Sequence, residues 1–205
     1  MSEKDYLQDL THIKSIMNKS TRFISLSGIS GILAGVYAIV GAFVGNYLIN
    51  SYRNSNSSIS LLPISFFEFL LVAVAALILI LSLITAYILT RKKAKQNNES
   101  IWNSASKRLL KSFLIPLIVG GLLCITLYQY NIIGLIAPFT LIFYGLACIN
   151  ASKYTIGNIY YLGMANVITG LIATQFIGYG LYFWALGFGV FHIIYGTLMY
   201  IKYEK

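Results

Sequence analysis

An all-α fold, a polytopic transmembrane bundle of six helices with an amphipathic N-terminal helix on the cytoplasmic face, is what this sequence predicts. Three observations predict it. First, 58% of the 205 residues are hydrophobic and only 10% are charged, against roughly a quarter charged in soluble domains. So few charges cannot coat a globular surface in water. Second, the apolar residues gather into six stretches near the ~20 residues that cross a ~30 Å hydrocarbon core as a helix. Helices are required there because lipid offers no partner for an unpaired backbone group. Third, when the stretches are threaded alternately across a membrane, all fifteen Lys and Arg except Arg53 fall on one side. Loops rich in Lys and Arg stay cytoplasmic.

Residues 1–22 form the cytoplasmic amphipathic helix. Tyr6, Leu10, Ile13 and Met17 recur at helical spacing with Leu7 and Ile16 beside them, and Lys4, Lys14 and Lys19 fill the polar part. Ser2 and Asp5 resemble a capping box. A cleavable signal would need an early apolar core behind a basic start, so this N-terminus is expected to be retained and to lie along the membrane face. The transmembrane domain covers 23–201, with spans at about 23–49, 65–89, 109–128, 132–150, 156–176 and 178–201, and 202–205 form a cytoplasmic tail.

The charges test this division. Lys4, Lys14, Lys19 and Arg22 precede the first span. Arg91, Lys92, Lys93, Lys95, Lys107, Arg108 and Lys111 surround the second-to-third connection. Lys153 lies between the fourth and fifth spans, and Lys202 and Lys205 follow the sixth. Removing one span would reverse the later charges. The first outer loop, rich in Ser and Asn, should be irregular. In the long inner loop Ile101, Trp102 and Ala105 suggest a weak amphipathic helix, with Trp102 suited to the interface. The other two outer connections are so short that their spans must form antiparallel hairpins.

Ser20 to Ile24 and Ser106 to Leu110 open the first and third spans alike, a hint of a repeated two-helix unit. The first span is dense in small residues four apart: Ser27, Gly31 and Gly35; Ala34, Ala38 and Ala42; Gly41 and Gly45. Such spacing makes a flat face where another backbone can approach closely. An intramolecular packing face is the favoured use, and a homo-oligomer or another membrane-protein partner comes second. The stretch from Arg22 to Ala42 resembles the start of small uncharacterised polytopic membrane proteins of Bacteroidetes-type bacteria. That resemblance implies no activity.

Few polar groups could carry a function. Glu68 is the acidic residue inside a predicted span, about one turn from its outer end, where an interfacial position accounts for it better than an ion path. His192 falls near the middle of the sixth span. Folding the last hairpin back brings Asn166 to its depth, close enough to hydrogen-bond the imidazole, with Tyr160, Tyr161 and Tyr195 about a turn further in. These five residues are the candidate buried polar site. A neutral histidine satisfied by a neighbour is favoured over a proton relay. Glu68 and His192 differ by ~14 Å in depth, from the ~1.5 Å rise per residue. Tyr179 to Trp184 fit an outer aromatic belt. Pro116 and Pro138 are each expected to remove a backbone hydrogen bond and kink a span.

The net charge of +9 would suggest nucleic acid in a soluble protein. Here it points to anionic lipid headgroups at the cytoplasmic loops, with no nucleic-acid motif beside it. Cys124 and Cys148 sit toward opposite ends of adjacent spans, too far apart for a disulfide. No catalytic motif, phosphate loop, metal cluster or cofactor site stands out. The function that fits best is a non-enzymatic membrane subunit, sensor or scaffold of a bacterial cytoplasmic membrane, both ends inside. A small-solute transporter or channel is the main alternative, and an intramembrane enzyme the third.

Overall fold

A computed structural model describes residues 27–54, 57–96, 100–155 and 158–204. The amphipathic helix expected at 3–21 lies outside them. The described chain is helical: α1 is Gly28–Arg53, α2 Ile64–Gln96, α3 Ser104–Gln129, α4 Ile136–Ala151, α5 Ile159–Ala173 and α6 Gly180–Tyr203. Five of these, counting α4 with its 3-10 flanks, are long and apolar enough to cross a membrane. The fifth span expected at 156–176 is shorter in the structure: α5 has 15 residues, about 22 Å at ~1.5 Å per residue, and turns occupy Thr174 to Gly178.

Local chemistry sets several boundaries. Pro63 precedes α2, where its missing N–H costs nothing, and its carbonyl accepts from Phe66 and Phe67 N–H. Asn103 and Ser106 cap α3 reciprocally: Asn103 Oδ1 accepts from Ser106 N–H at 2.8 Å and Ser106 Oγ from Asn103 N–H at 3.0 Å. The weak helix expected around Ile101 and Trp102 is therefore absent. Trp102 is exposed before the cap, and only Ala105 joins α3, where it is buried. The α3 C-terminus closes on Asn131 at φ 57°, with Ile132 N–H reaching Leu127 O and Asn131 N–H reaching Tyr128 O. Asparagine tolerates that left-handed closure. The α5–α6 turn uses Gly178 at φ 100° in the same way. Pro138 stands in the first turn of α4, where an N–H has no intrahelical partner, so the expected kink has no cause there.

The helices alternate in direction between a basic end, near Gly28, Lys93 and Glu204, and a far end, near Arg53 and Gly178. Helix α6 packs on α1 along one side and on α4 and α5 along another. Glycines make both contacts close. A Cβ on Gly28 would lie 2.5 Å from Gly196 O, one on Gly35 2.6 Å from Gly189 O, and one on Gly196 2.5 Å from Ile32 N. Between α4 and α5 a Cβ on Gly145 would lie 2.5 Å from Gly163 O. On α1, Gly31 meets Gly196, Gly45 meets Leu181, and Gly41 turns toward Ile78 of α2. Ala38 and Ala42 are buried, while Ser27 and Ala34 are half-buried. Helix α2 leaves the central window of its span unburied.

Where a glycine Cβ would meet backbone, the helices must separate. Gly196→Ala should therefore cost about 1–3 kcal/mol, the range of overpacking. Gly121→Ala, with nothing within 4 Å, should be neutral or gain up to ~1 kcal/mol of helix propensity. Thermal unfolding of the two variants in detergent checks the contrast.

Candidate functional site

The polar centre of the bundle is built on an irregularity in α6. The helix runs as α over Gly180–Trp184, as π over Ala185–Val190 and as α again over Phe191–Tyr203. The π segment places the Gly187 carbonyl 3.0 Å from His192 Nδ1. A carbonyl only accepts, so Nδ1 carries the hydrogen. The other nitrogen, Nε2, lies 2.6 Å from Tyr144 Oη of α4. His192 is buried, and Glu68 and Glu204, the acidic residues among those described, sit at opposite ends of the bundle. A charged imidazole there would have no counter-ion, so the ring is neutral. Nε2 is then a bare acceptor, and the Tyr144 hydroxyl donates to it.

Aromatic rings enclose this pair. Tyr144 lies 5.2 Å from His192 and 4.9 Å from Phe188 between ring centroids, and Phe113 of α3 meets Tyr144 edge-on at 5.9 Å. Cys148, buried one turn further along α4, lies beside the Tyr144 hydroxyl. Both imidazole nitrogens are committed within the protein, leaving no lone pair for a substrate.

The expected site is reorganised. Asn166 is fully buried at the right depth but does not bond His192; its Nδ2 donates to Leu162 O at 2.9 Å. Asn166 Oδ1 has no hydrogen-bond partner and faces Gly187, where a Cβ would approach it to 2.6 Å. Residue 187 must be glycine for α5 to come this near. Tyr195 is half-buried on α6. Tyr160 and Tyr161 are turned out on α5, 45% and 70% exposed, with their rings against each other, and take no part. Tyr144 is the residue that sequence reasoning missed. Its signal was a lone phenolic hydroxyl at mid-span; the π segment had no signal in the sequence.

A second polar contact repairs the backbone of α3. Pro116 cannot donate to Ser112 O four residues back, and Asn150 Nδ2 of α4 fills that acceptor at 2.8 Å. Glu68 is at the far end, where it accepts from Tyr128 Oη at 2.8 Å on an exposed surface. Cys124 and Cys148 are both free thiols, with Cys124 Sγ near Ile136 O. Among the described residues no group of three His, Cys, Asp or Glu is placed to hold a metal ion.

Two clefts open at the ends. An apolar groove of about 470 Å³ at the far end is lined by Phe176, Tyr179, Tyr182, Phe183 and Leu186. A polar cleft of about 350 Å³ at the basic end lies between α1, α2 and α6. Neither is lined by His192. Compared with known proteins, the chain fits no family model and matches no curated protein or solved structure.

Tyr144→Phe leaves Nε2 buried and unpaired, and should lower stability by about 1–3 kcal/mol. Adding His192→Phe removes that orphan but strips Gly187 O of its Nδ1–H donor, so the double variant should stay well below the wild type. Thermal unfolding measures both. Nitrogen-15 NMR of labelled histidine should show His192 protonated at Nδ1 and bare at Nε2.

Proposed function

We propose that the protein is a six-span integral membrane protein of a bacterial cytoplasmic membrane, both termini inside, acting as a non-enzymatic subunit, sensor or scaffold. The observation that carries this is the closure of the polar centre: His192 spends both nitrogens on Tyr144 and Gly187. A transport path would keep such a group open to solute and water. The basic residues on α2 and α3 are then cytoplasmic and meet anionic lipid headgroups.

Crossing by α5 is supported by its contacts. Gly163 meets Gly145 toward the basic end, Gly170 meets Pro138 O, and Ile177 beyond the helix meets Gly134 at the far end. Two observations favour a small-solute transporter as the second reading: the π segment in α6 and the unpaired Asn166 Oδ1. π-Bulges often mark functional positions.

Reconstitution into liposomes with a trapped pH dye separates the two. The scaffold predicts proton permeability equal to that of empty liposomes; a flux abolished by His192→Phe would sink it. Topology is checked with single cysteines replacing the exposed residues Ser58, Lys153 and Gln175, in a chain lacking the native thiols. A membrane-impermeant maleimide on intact cells should label positions 58 and 175 but not 153. Labelling 153 and 175 alike would mean that α5 does not cross.

A further inference from the structure

The irregular turn of α6 and the seat of α5 depend on each other. Phe191 N–H reaches five residues back to Leu186 O. It thereby passes over Gly187 O, its acceptor in a regular α-helix. His192 Nδ1–H fills the carbonyl so skipped. The extra residue in this turn also decides what faces α5. With it in place Gly187 stands against Leu141 and Asn166, where even a Cβ would lie 2.6 Å from Asn166 Oδ1. Were the turn to close into regular α, the segment before it would advance one place toward the far end, about 100° and ~1.5 Å. Phe188 would then stand where Gly187 stands, and its ring leaves no room for Asn166. A closed turn and a seated α5 therefore exclude each other.

The seated arrangement also carries a cost. Asn166 is fully buried, yet its Oδ1 has no partner, which raises this state toward any alternative that relieves it. Closure gives Gly187 O to Phe191 N–H and frees His192 Nδ1–H, the kind of donor that Asn166 Oδ1 lacks. Helix α5 is the shortest of the six and packs chiefly on α4. The turn after it passes through Gly178 at φ 100°, a point able to take up the advancing residue. We propose that the π segment of α6 is a two-position latch: π with α5 seated, and regular α with α5 displaced from Gly187. The advancing turn carries Tyr182, Phe183 and Leu186, which line the far-end groove, so the latch couples the polar centre to that surface. This deepens the sensor form of the proposed function and rests on it only for the membrane setting.

The test measures the separation of α1 and α5 across α6 in the full-length chain in nanodiscs, with both native thiols replaced. Spin labels go at Val40 and Ile168, which are 57% and 51% exposed, and double electron–electron resonance reads the distance. The wild type should give a main distance and a longer minor one, at about a tenth or below. Gly187→Ala sets a methyl against Asn166 in the seated state only, and should raise the ratio of long to short about tenfold. Asn166→Ala removes both the unpaired oxygen and the obstruction. It should abolish the longer distance, alone and combined with Gly187→Ala. Trp184 rides on the advancing turn, and in a Trp102→Phe chain its emission should shift with the same variants. A single distance in both the wild type and a folded Gly187→Ala, or a longer component indifferent to Asn166→Ala, would overturn the latch. Should Gly187→Ala fail to fold, the wild type against Asn166→Ala decides: a longer component that Asn166→Ala removes supports the latch, and none in the wild type sinks it. Failure here leaves the flux assay to judge the functional proposal separately.

Discussion

Hydrocarbon offers no water to a polar group that lacks a partner, and that constraint organises the centre of this molecule. Each break in helical regularity is met by a side chain from another element or another turn. Pro116 strips Ser112 O of its donor, and Asn150 reaches across from α4 to supply one. The π segment of α6 displaces the hydrogen-bond ladder by a residue, and His192 returns its Nδ1–H to Gly187 O. That use of Nδ1 leaves Nε2 as an acceptor, which is why Tyr144 stands opposite. At the basic end Glu204 satisfies the first N–H of α1. These contacts tie α3 to α4, α4 to α6 and α6 to α1, so polar satisfaction and tertiary arrangement are one problem here.

Close approach is the second consequence of the lipid environment. Apolar side chains gain nothing from leaving lipid for one another, so association depends on fit. Glycine supplies it at α1–α6 and α4–α5, where carbonyl oxygens stand where a Cβ would be. Helix α6 becomes central because it has glycines on two faces: Gly189 and Gly196 toward α1, and Gly187 toward Leu141 and Asn166. Helix α2 is the contrast. Its span has the highest hydropathy of the five, at 3.0, yet none of that window is buried. Apolar character alone does not draw a helix into the middle of a bundle in lipid.

The same contrast explains what could be seen in the sequence. Hydropathy is local and marks the apolar stretches, but it does not set the helix ends: α2 continues to Gln96, and α3 starts at Ser104 behind the Asn103 cap. The small-residue pattern on α1 was legible because spacing is local. Its partner was not, since Gly189 and Gly196 are remote in sequence and only tertiary structure aligns them with Gly35 and Gly28. His192 and Asn166 could be placed at one depth by folding a hairpin, but depth does not fix azimuth. The imidazole turned toward α4, which no counting along the last hairpin reveals. Tyr160 and Tyr161 failed for the same reason: at the expected depth they face outward.

The position of α6 also bears on whether this bundle moves. Alternating access needs one group of helices to rock against another around a central site. In this protein the helix carrying the polar centre is engaged on both sides. Toward α1 its backbone is in glycine contact at Gly28, Gly31 and Gly35, and toward α4 it is joined through Tyr144. Rocking about α6 would break one of these sets before any solute gained access to His192. The looser seam lies between α2 and α3, joined at the far end by the exposed Glu68–Tyr128 hydrogen bond. The unpaired Asn166 Oδ1 fits the same picture, as the local cost of bringing α5 onto the π segment at Gly187.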